Sequence, residues 1–205
     1  GCAFCSITLS EGRRIVSRSP ESILREISSL SAHPEWRGVV SDIGAATAEM
    51  YGSDCEVSPC SRDSCLQPAA CGRFAPGDPY RELLRQARAL PGVKKIMLGS
   101  GVRHDLLLRN PDLLEEIMRE HCGRFLRVAP EHTEDEVLDV MGKPRFAVFE
   151  EFVALFNRVN RRLPRPIVLA PYLVIGHPGE TAAMVPLMKK KLDAGANSAI
   201  TQYFF

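Results

Sequence analysis

Ile96-Met97-Leu98-Gly99-Ser100-Gly101, then Asn110-Pro111-Asp112, then Phe125-Leu126-Arg127-Val128-Ala129, is the run whose reading decides the fold class. Ile96 to Leu98 is a short apolar segment that stops at a Gly-Ser-Gly break, the mark of a buried strand. Asn110 and Pro111 supply a cap and a first-turn proline for a helix through Leu113, Leu114, Ile117 and Met118, with Gly123 expected as its left-handed cap. Phe125 to Ala129 is the next strand. Strand, helix and strand in that order require a crossover, and a crossover makes the two strands parallel.

The same alternation extends both ways. Upstream, Ser19-Pro20-Glu21 opens a helix carrying Ile23, Leu24, Ile27 and Leu30, and His33-Pro34 stops it. Val39-Val40-Ser41-Asp42-Ile43 reads as a short buried strand ending at Gly44, and Asp78-Pro79 opens a helix that Pro91-Gly92 closes. Downstream, Thr133-Glu134-Asp135-Glu136 has capping-box spacing for a short helix ending at Gly142. A longer helix carries Val148, Phe149, Phe152, Phe156 and Val159, which read as core. Residues 167–175 form an apolar strand that breaks at Gly176-His177-Pro178-Gly179. A helix begins or kinks at Pro186, and residues 198–204 form a last strand.

The expected fold is therefore α/β: a partial (β/α)6-type, TIM-like barrel of parallel strands, truncated at both ends, with one further strand expected before Gly1. A doubly wound sheet is the alternative. Residues 1–205 are expected to form one partial core domain, interrupted by a Cys-, Pro- and Gly-rich insertion at 51–80. In either fold, chemistry gathers where strands end. There the sequence places Gly44, Ser100-Gly101, Pro130-Glu131-His132 and Gly176-His177-Pro178-Gly179-Glu180.

Composition narrows the function classes. The chain has 205 residues, 45% hydrophobic and 25% charged, with a formal net charge of +1. That balance gives no indication of nucleic-acid binding, and no apolar run is long enough for a membrane span. Seven cysteines cannot all pair within the chain. Clustered thiols of this kind fit metal or redox chemistry in a reducing cytoplasm, so a cytoplasmic location is expected. Cys2 and Cys5 in Gly1-Cys2-Ala3-Phe4-Cys5 can grip one metal or cluster, although two ligands do not complete a site. The chain opens on Gly inside this motif, which reads as a fragment whose start is cut away. Cys55, Cys60, Cys65 and Cys71 could form a second four-thiolate site for an Fe–S cluster or zinc.

Gly1-Cys2-Ala3-Phe4-Cys5 resembles the end of the radical SAM motif Cys-x3-Cys-x2-Cys, whose first Cys would lie three residues before Gly1. Cys5-Ser6-Ile7-Thr8, Ser17-Arg18-Ser19, Val40-Ser41-Asp42-Ile43-Gly44, Gly99-Ser100-Gly101-Val102-Arg103, Ala129-Pro130-Glu131-His132-Thr133 and His177-Pro178-Gly179 extend the likeness over the whole chain. Together they resemble the core of the YgiQ-type (UPF0313) radical SAM proteins. The resemblance implies a [4Fe–4S] cluster with Cys2 and Cys5 among three cysteine ligands, and S-adenosylmethionine (SAM) on the open iron. It places Phe4 near adenine and Gly44 and Ala45 near the SAM amino group. It makes Ser100, Arg103 and Glu131 candidates for the SAM carboxylate, ribose and substrate. Gly176, His177 and Pro178 would line adenine, and Arg103, Glu131 and His132 are the catalytic candidates. The implied partners are SAM, an unknown substrate and a reductant such as flavodoxin or ferredoxin.

Plainer readings stand beside these. Cys2 and Cys5 could be a surface or thioredoxin-like thiol pair. Cys122 reads as packed core, His121 as a helix-end residue favoured by the dipole, and His104-Asp105 as either a surface turn or part of the site. Lys189-Lys190-Lys191 reads as a solvated helix face. The alternative function is a non-catalytic Zn, Fe–S or redox module on a barrel scaffold. A metal-free barrel enzyme using Arg103, Glu131 and His132 is a third.

Overall fold

The structure, a computed structural model, describes residues 2–10, 12, 15–45, 47–53, 60–62, 64–67, 71, 77–181 and 183–184. Cys55, the helix expected near Pro186, Lys189 to Lys191 and the strand expected at 198–204 lie outside the described residues.

Helix α1 (Ile7–Ser10) follows the cysteine turn, and α2 (Pro20–Leu30) begins where expected. Ser19 caps α2 by accepting from the Ser22 N–H at 3.2 Å, and Pro20 fills the first turn, where no N–H partner is needed. Strand β1 is Val39–Val40, followed by a 3₁₀ turn at Ala48–Met50, helix α3 (Asp78–Arg88) and β2 (Lys95–Ile96). Helix α4 (His104–Leu107) leads into α5 (Pro111–Glu116), which continues as a π turn, Ile117–His121. Strand β3 (Phe125–Glu131), α6 (Asp135–Met141), α7 (Phe146–Asn160) and β4 (Val168–Leu173) complete the order.

Every described strand pair is parallel. β1 pairs with β2 through Val39–Lys95 and Val40–Ile96, and β3 pairs with β4 from Phe125–Val168 onward. A bridge between Val102 and Val128 links the two pairs, with the Val102 N–H donating to the Arg127 carbonyl at 2.9 Å. Gly101 makes that approach possible: its φ is +90°, and a Cβ there would lie 2.9 Å from the Arg127 carbonyl. The strands thus follow one another in chain order without closing on themselves among the described residues. The molecule is mixed α/β with parallel strands.

One apolar cluster spans the helical layer and the sheet. It includes Leu84, Ile96, Leu107, Leu113, Leu126, Val128, Phe149, Phe152 and Phe156. β3 shows the period-two pattern of a half-buried strand, with Leu126 and Val128 turned into this core. The Phe-rich helix is core as expected.

Four local expectations are corrected. β1 is only two residues long and Val39 is exposed, although pairing continues through the Ile43 N–H to the Met97 carbonyl. The capping box at Thr133 is not formed: Glu134 is the cap residue of α6 without a side-chain cap bond, and the Thr133 hydroxyl donates to the Glu134 carboxylate instead. Gly142 does end α6 in the left-handed conformation, whereas Gly123 does not adopt it. His121 is fully buried in the π turn, where its Nδ1 donates to the Ile96 carbonyl at 3.0 Å. Burial lowers its pKa, so the ring is neutral and packed, not a charged group on a helix dipole. Cys122 beside it is core, its thiol pushed up to about 12 by burial.

Candidate functional site

The strand ends carry two polar assemblies, and the cysteine turn packs against the second. The first joins the ends of β1 and β2. The Asp42 carboxylate accepts from the Gly44 N–H at 2.9 Å and the Gly99 N–H at 3.1 Å, and the Ser100 hydroxyl donates to its other oxygen. One carboxylate thus ties two strand ends 57 residues apart in sequence. A Cβ at Gly44 would lie 2.9 Å from the Asp42 Oδ1, so any side chain there would push the carboxylate aside. Gly44 is half-buried, and Ala45 and Ser100 are exposed beside it.

Beneath this rim lies a buried charged group. Arg103, just past β2, is 7% exposed and holds Asp105 through two hydrogen bonds, Nε to Oδ1 at 2.8 Å and an NH2 to Oδ2 at 2.9 Å. Burial works against the guanidinium charge, but the Asp105 carboxylate, then Cys2 and Glu49, more than offset it and raise the Arg103 pKa. Glu49 accepts from the Arg103 backbone N–H at 2.8 Å, and its other oxygen is buried without a hydrogen-bond partner among the described residues. Burial pushes its carboxyl up to about 7. The Tyr80 hydroxyl donates to the Ile43 carbonyl at 3.3 Å, one residue from Gly44. His104 is neither surface turn nor rim: it is buried edge-on against Phe149 at 5.6 Å, with its pKa lowered to about 4 by burial.

The second assembly is at the ends of β3 and β4. Pairing is irregular between Val128 and Glu131, and Glu131 adopts φ 72°, unusual for a residue with a side chain. Lys143 holds the place by donating to the Ala129 carbonyl at 2.9 Å and lying 3.5 Å from the Glu131 carboxylate. His132 is fully buried; its Nδ1 accepts from the Glu134 N–H at 3.0 Å and its Nε2 lies 3.3 Å from Glu180 Oε1.

The cysteine turn sits against this second assembly. The Cys5 N–H donates to the Cys2 carbonyl at 3.2 Å, curling the loop, and the Ala3 N–H donates to the Met141 carbonyl at the end of α6 at 2.8 Å. Phe4 meets the His177 ring edge-on, 5.7 Å between centroids. Cys2 and Cys5 are both half-buried. Paired on one tight turn, the two thiols are placed as two ligands of a single metal or cluster would be.

The structure therefore brings together Phe4 with His177, Gly44 with Ser100 through Asp42, and Glu131 with His132. It does not bring the later cysteines into a described metal group. Cys65 packs beside Met50, Leu66 and Leu106, and the Cys71 N–H donates to the Cys65 carbonyl at 2.7 Å. Among the described residues, no three Cys, His, Asp or Glu side chains converge on one point. Nor is any described helix long and apolar enough to cross a membrane. Asp42, Glu49 and Lys143 were not legible as site residues, whereas Asp105 was read with His104 as a surface turn or part of the site and Glu180 as part of the strand-end turn. Asp42 could have been found as a carboxylate at the end of a strand; Glu49 has no signal in its neighbours.

Fold and site define a parallel α/β protein with a Cys-x2-Cys turn seated on its strand ends. No protein-family model matches the chain. It is 42% identical over 187 residues to a UPF0313 protein of Shewanella oneidensis and 43% identical over 188 residues to one of Pseudomonas aeruginosa, each alignment covering 88% of this chain. A UPF0313 protein of Methanosarcina mazei is 38% identical over 210 residues, covering all of it. The chain belongs to the UPF0313 family. It spans about a quarter of the first two relatives (24% and 25%) and 34% of the third.

Proposed function

We propose that the chain is part of the core of a radical SAM enzyme, a partial (β/α)6 barrel acting in the cytoplasm on a substrate still to be found. The observation that carries this reading is the Cys2-Ala3-Phe4-Cys5 turn, held on the strand ends by the Ala3–Met141 hydrogen bond and the Phe4–His177 ring contact. Sequential parallel strands with helical crossovers support the barrel.

Cys2 and Cys5 would hold two irons of a [4Fe–4S] cluster, with a third cysteine three residues before Gly1. When bound and reduced by a donor such as flavodoxin or ferredoxin, the cluster supplies the electron that cleaves the SAM sulfonium to methionine and a 5′-deoxyadenosyl radical. The rest is positioning by protein groups. Backbone groups at Gly44 and Ala45 receive the SAM amino group on the rim that Asp42 organises. Ser100, Arg103 and Glu131 face the carboxylate, ribose and substrate, with Arg103 pre-oriented by Asp105. Phe4, Gly176, His177 and Pro178 enclose the adenine. Cys60, Cys65 and Cys71, with Cys55, would hold a second Fe–S cluster or zinc.

The test is anaerobic reconstitution of the full protein with iron and sulfide, reduction in the presence of SAM, and detection of 5′-deoxyadenosine by mass. Product is expected, and Cys2→Ala or Cys5→Ala should lower it by at least ~10³-fold, a loss of about 4 kcal/mol of transition-state stabilisation. No product from a protein with full iron content would overturn the reading.

A further inference from the structure

The second assembly contains a connection that the proposed chemistry does not use. His132 leaves β3 fully buried, and Glu180 closes the turn after β4 with a side chain only 3% exposed. These two elements meet through His132 Nε2 and Glu180 Oε1, 3.3 Å apart. The tautomer follows from the other ring nitrogen. Nδ1 accepts a backbone N–H from Glu134, so it carries no proton, and the ring proton must sit on Nε2, facing the carboxylate. One nitrogen thus accepts a backbone N–H, and the other lies 3.3 Å from a carboxylate oxygen, a close polar contact short of a formed hydrogen bond. A general base needs a nitrogen lone pair turned toward substrate, and in this fully buried ring the one in-plane lone pair already accepts the Glu134 N–H.

Glu180 in turn shapes its own turn. Its second carboxylate oxygen accepts from the Gly176 N–H, and its backbone N–H donates to the His177 carbonyl at 2.9 Å. The same turn presents His177 to Phe4, between the two cysteines. The Val174 N–H donates to the Glu131 carbonyl at 2.7 Å, locking the strand just before the turn to the strained end of β3. A continuous path thus runs from β3 through His132 and Glu180 to His177, Phe4 and the cysteine turn.

We propose that His132 and Glu180 are positioning residues, a buried imidazole–carboxylate clasp that holds the 176–180 turn and, through His177 and Phe4, fixes the cysteine loop on the strand ends. The clasp deepens the proposed function, and its catalytic consequence rests on that reading. His132 acts through Glu180 and transfers no proton.

The experiment uses the full protein with His132→Ala, His132→Gln and Glu180→Ala. Glutamine keeps an N–H at the place of Nε2 but has no nitrogen that takes a proton. In the metal-free protein, deuterium exchange of peptides covering 2–5 and 174–181 should speed up by about tenfold or more in both alanine variants and return toward wild type in His132→Gln. In the reconstituted enzyme, the alanine variants should raise KM for SAM about tenfold with a smaller change in kcat, and His132→Gln should rescue it. Unchanged exchange in Glu180→Ala overturns the clasp. So does a His132→Gln enzyme as inactive as His132→Ala with exchange like wild type, which would make His132 the proton-transfer group. If wild type forms no 5′-deoxyadenosine, the proposed reaction fails, and the exchange measurement alone decides the clasp.

Discussion

The two strand-end assemblies solve one problem in opposite ways. At β1 and β2, an exposed carboxylate, Asp42, gathers donors from Gly44, Gly99 and Ser100, and small residues let the backbones approach. At β3 and β4, a buried imidazole faces a buried carboxylate, and a side-chain-bearing residue, Glu131, is held at positive φ. The first clamp is made of groups that water could serve as well. The second is made of groups that water does not reach, so each depends on its partner. The first therefore tolerates damage, while the second transmits it to the cysteine turn.

The sharpest way to break this contrast is His132→Ala. Removing the ring that Glu180 faces in a buried site should cost about 3–4 kcal/mol in urea denaturation. A loss no larger than that of Asp42→Ala would mean the two assemblies are equivalent.

Glu49, under the first rim, tests whether burial alone sets the difference. Its folded-state pKa of about 7 lies above its ordinary value, so the fold binds a proton that the unfolded chain releases. The stability it contributes is full below the ordinary carboxylate range and is lost as pH rises through about 7. Relative to Glu49→Gln, wild type should lose roughly 3 kcal/mol between pH 4 and pH 8. Parallel stability curves for the two proteins would refute the assignment.

Asp42→Ala should cost less, about 2 kcal/mol, because the released N–H and hydroxyl donors reach solvent. The check is the same denaturation series, and a cost exceeding that of His132→Ala reverses the comparison. Smallest of all, Glu131→Gly should shift stability by under about 1 kcal/mol, since relief of positive φ offsets the entropy glycine adds to the unfolded chain. A larger loss would show that the Lys143–Glu131 pair, not the backbone, holds that strand end.

Much of the architecture was legible in the sequence. The caps at Ser19 and Asn110, the apolar face of α3, the core helix α7 and the glycine stop at 142 all act through neighbours within a turn or two, and the structure has them as read. Strand lengths were not legible, because a strand is defined by its partner; Val39 looks like core in sequence and is exposed. His121 and Thr133 show the same limit: local rules assigned them a dipole and a cap, and tertiary packing gave one burial and the other a different partner.

For the site, the sequence alone determined which residues stand at strand ends, since a Gly or Pro break after an apolar run is a local signal. The UPF0313 likeness was also carried by short ordered motifs such as Gly99-Ser100-Gly101-Val102-Arg103 and Ala129-Pro130-Glu131-His132-Thr133. Only the tertiary structure decided what those residues touch. Asp42 and Gly99 are 57 positions apart, and His132 and Glu180 belong to different crossovers. The tautomer of His132, the elevated pKa of Glu49 and the orientation of Arg103 all arise from burial beside such distant partners. Burial and distant pairing depend on how crossovers stack strands, which no local window of the chain encodes.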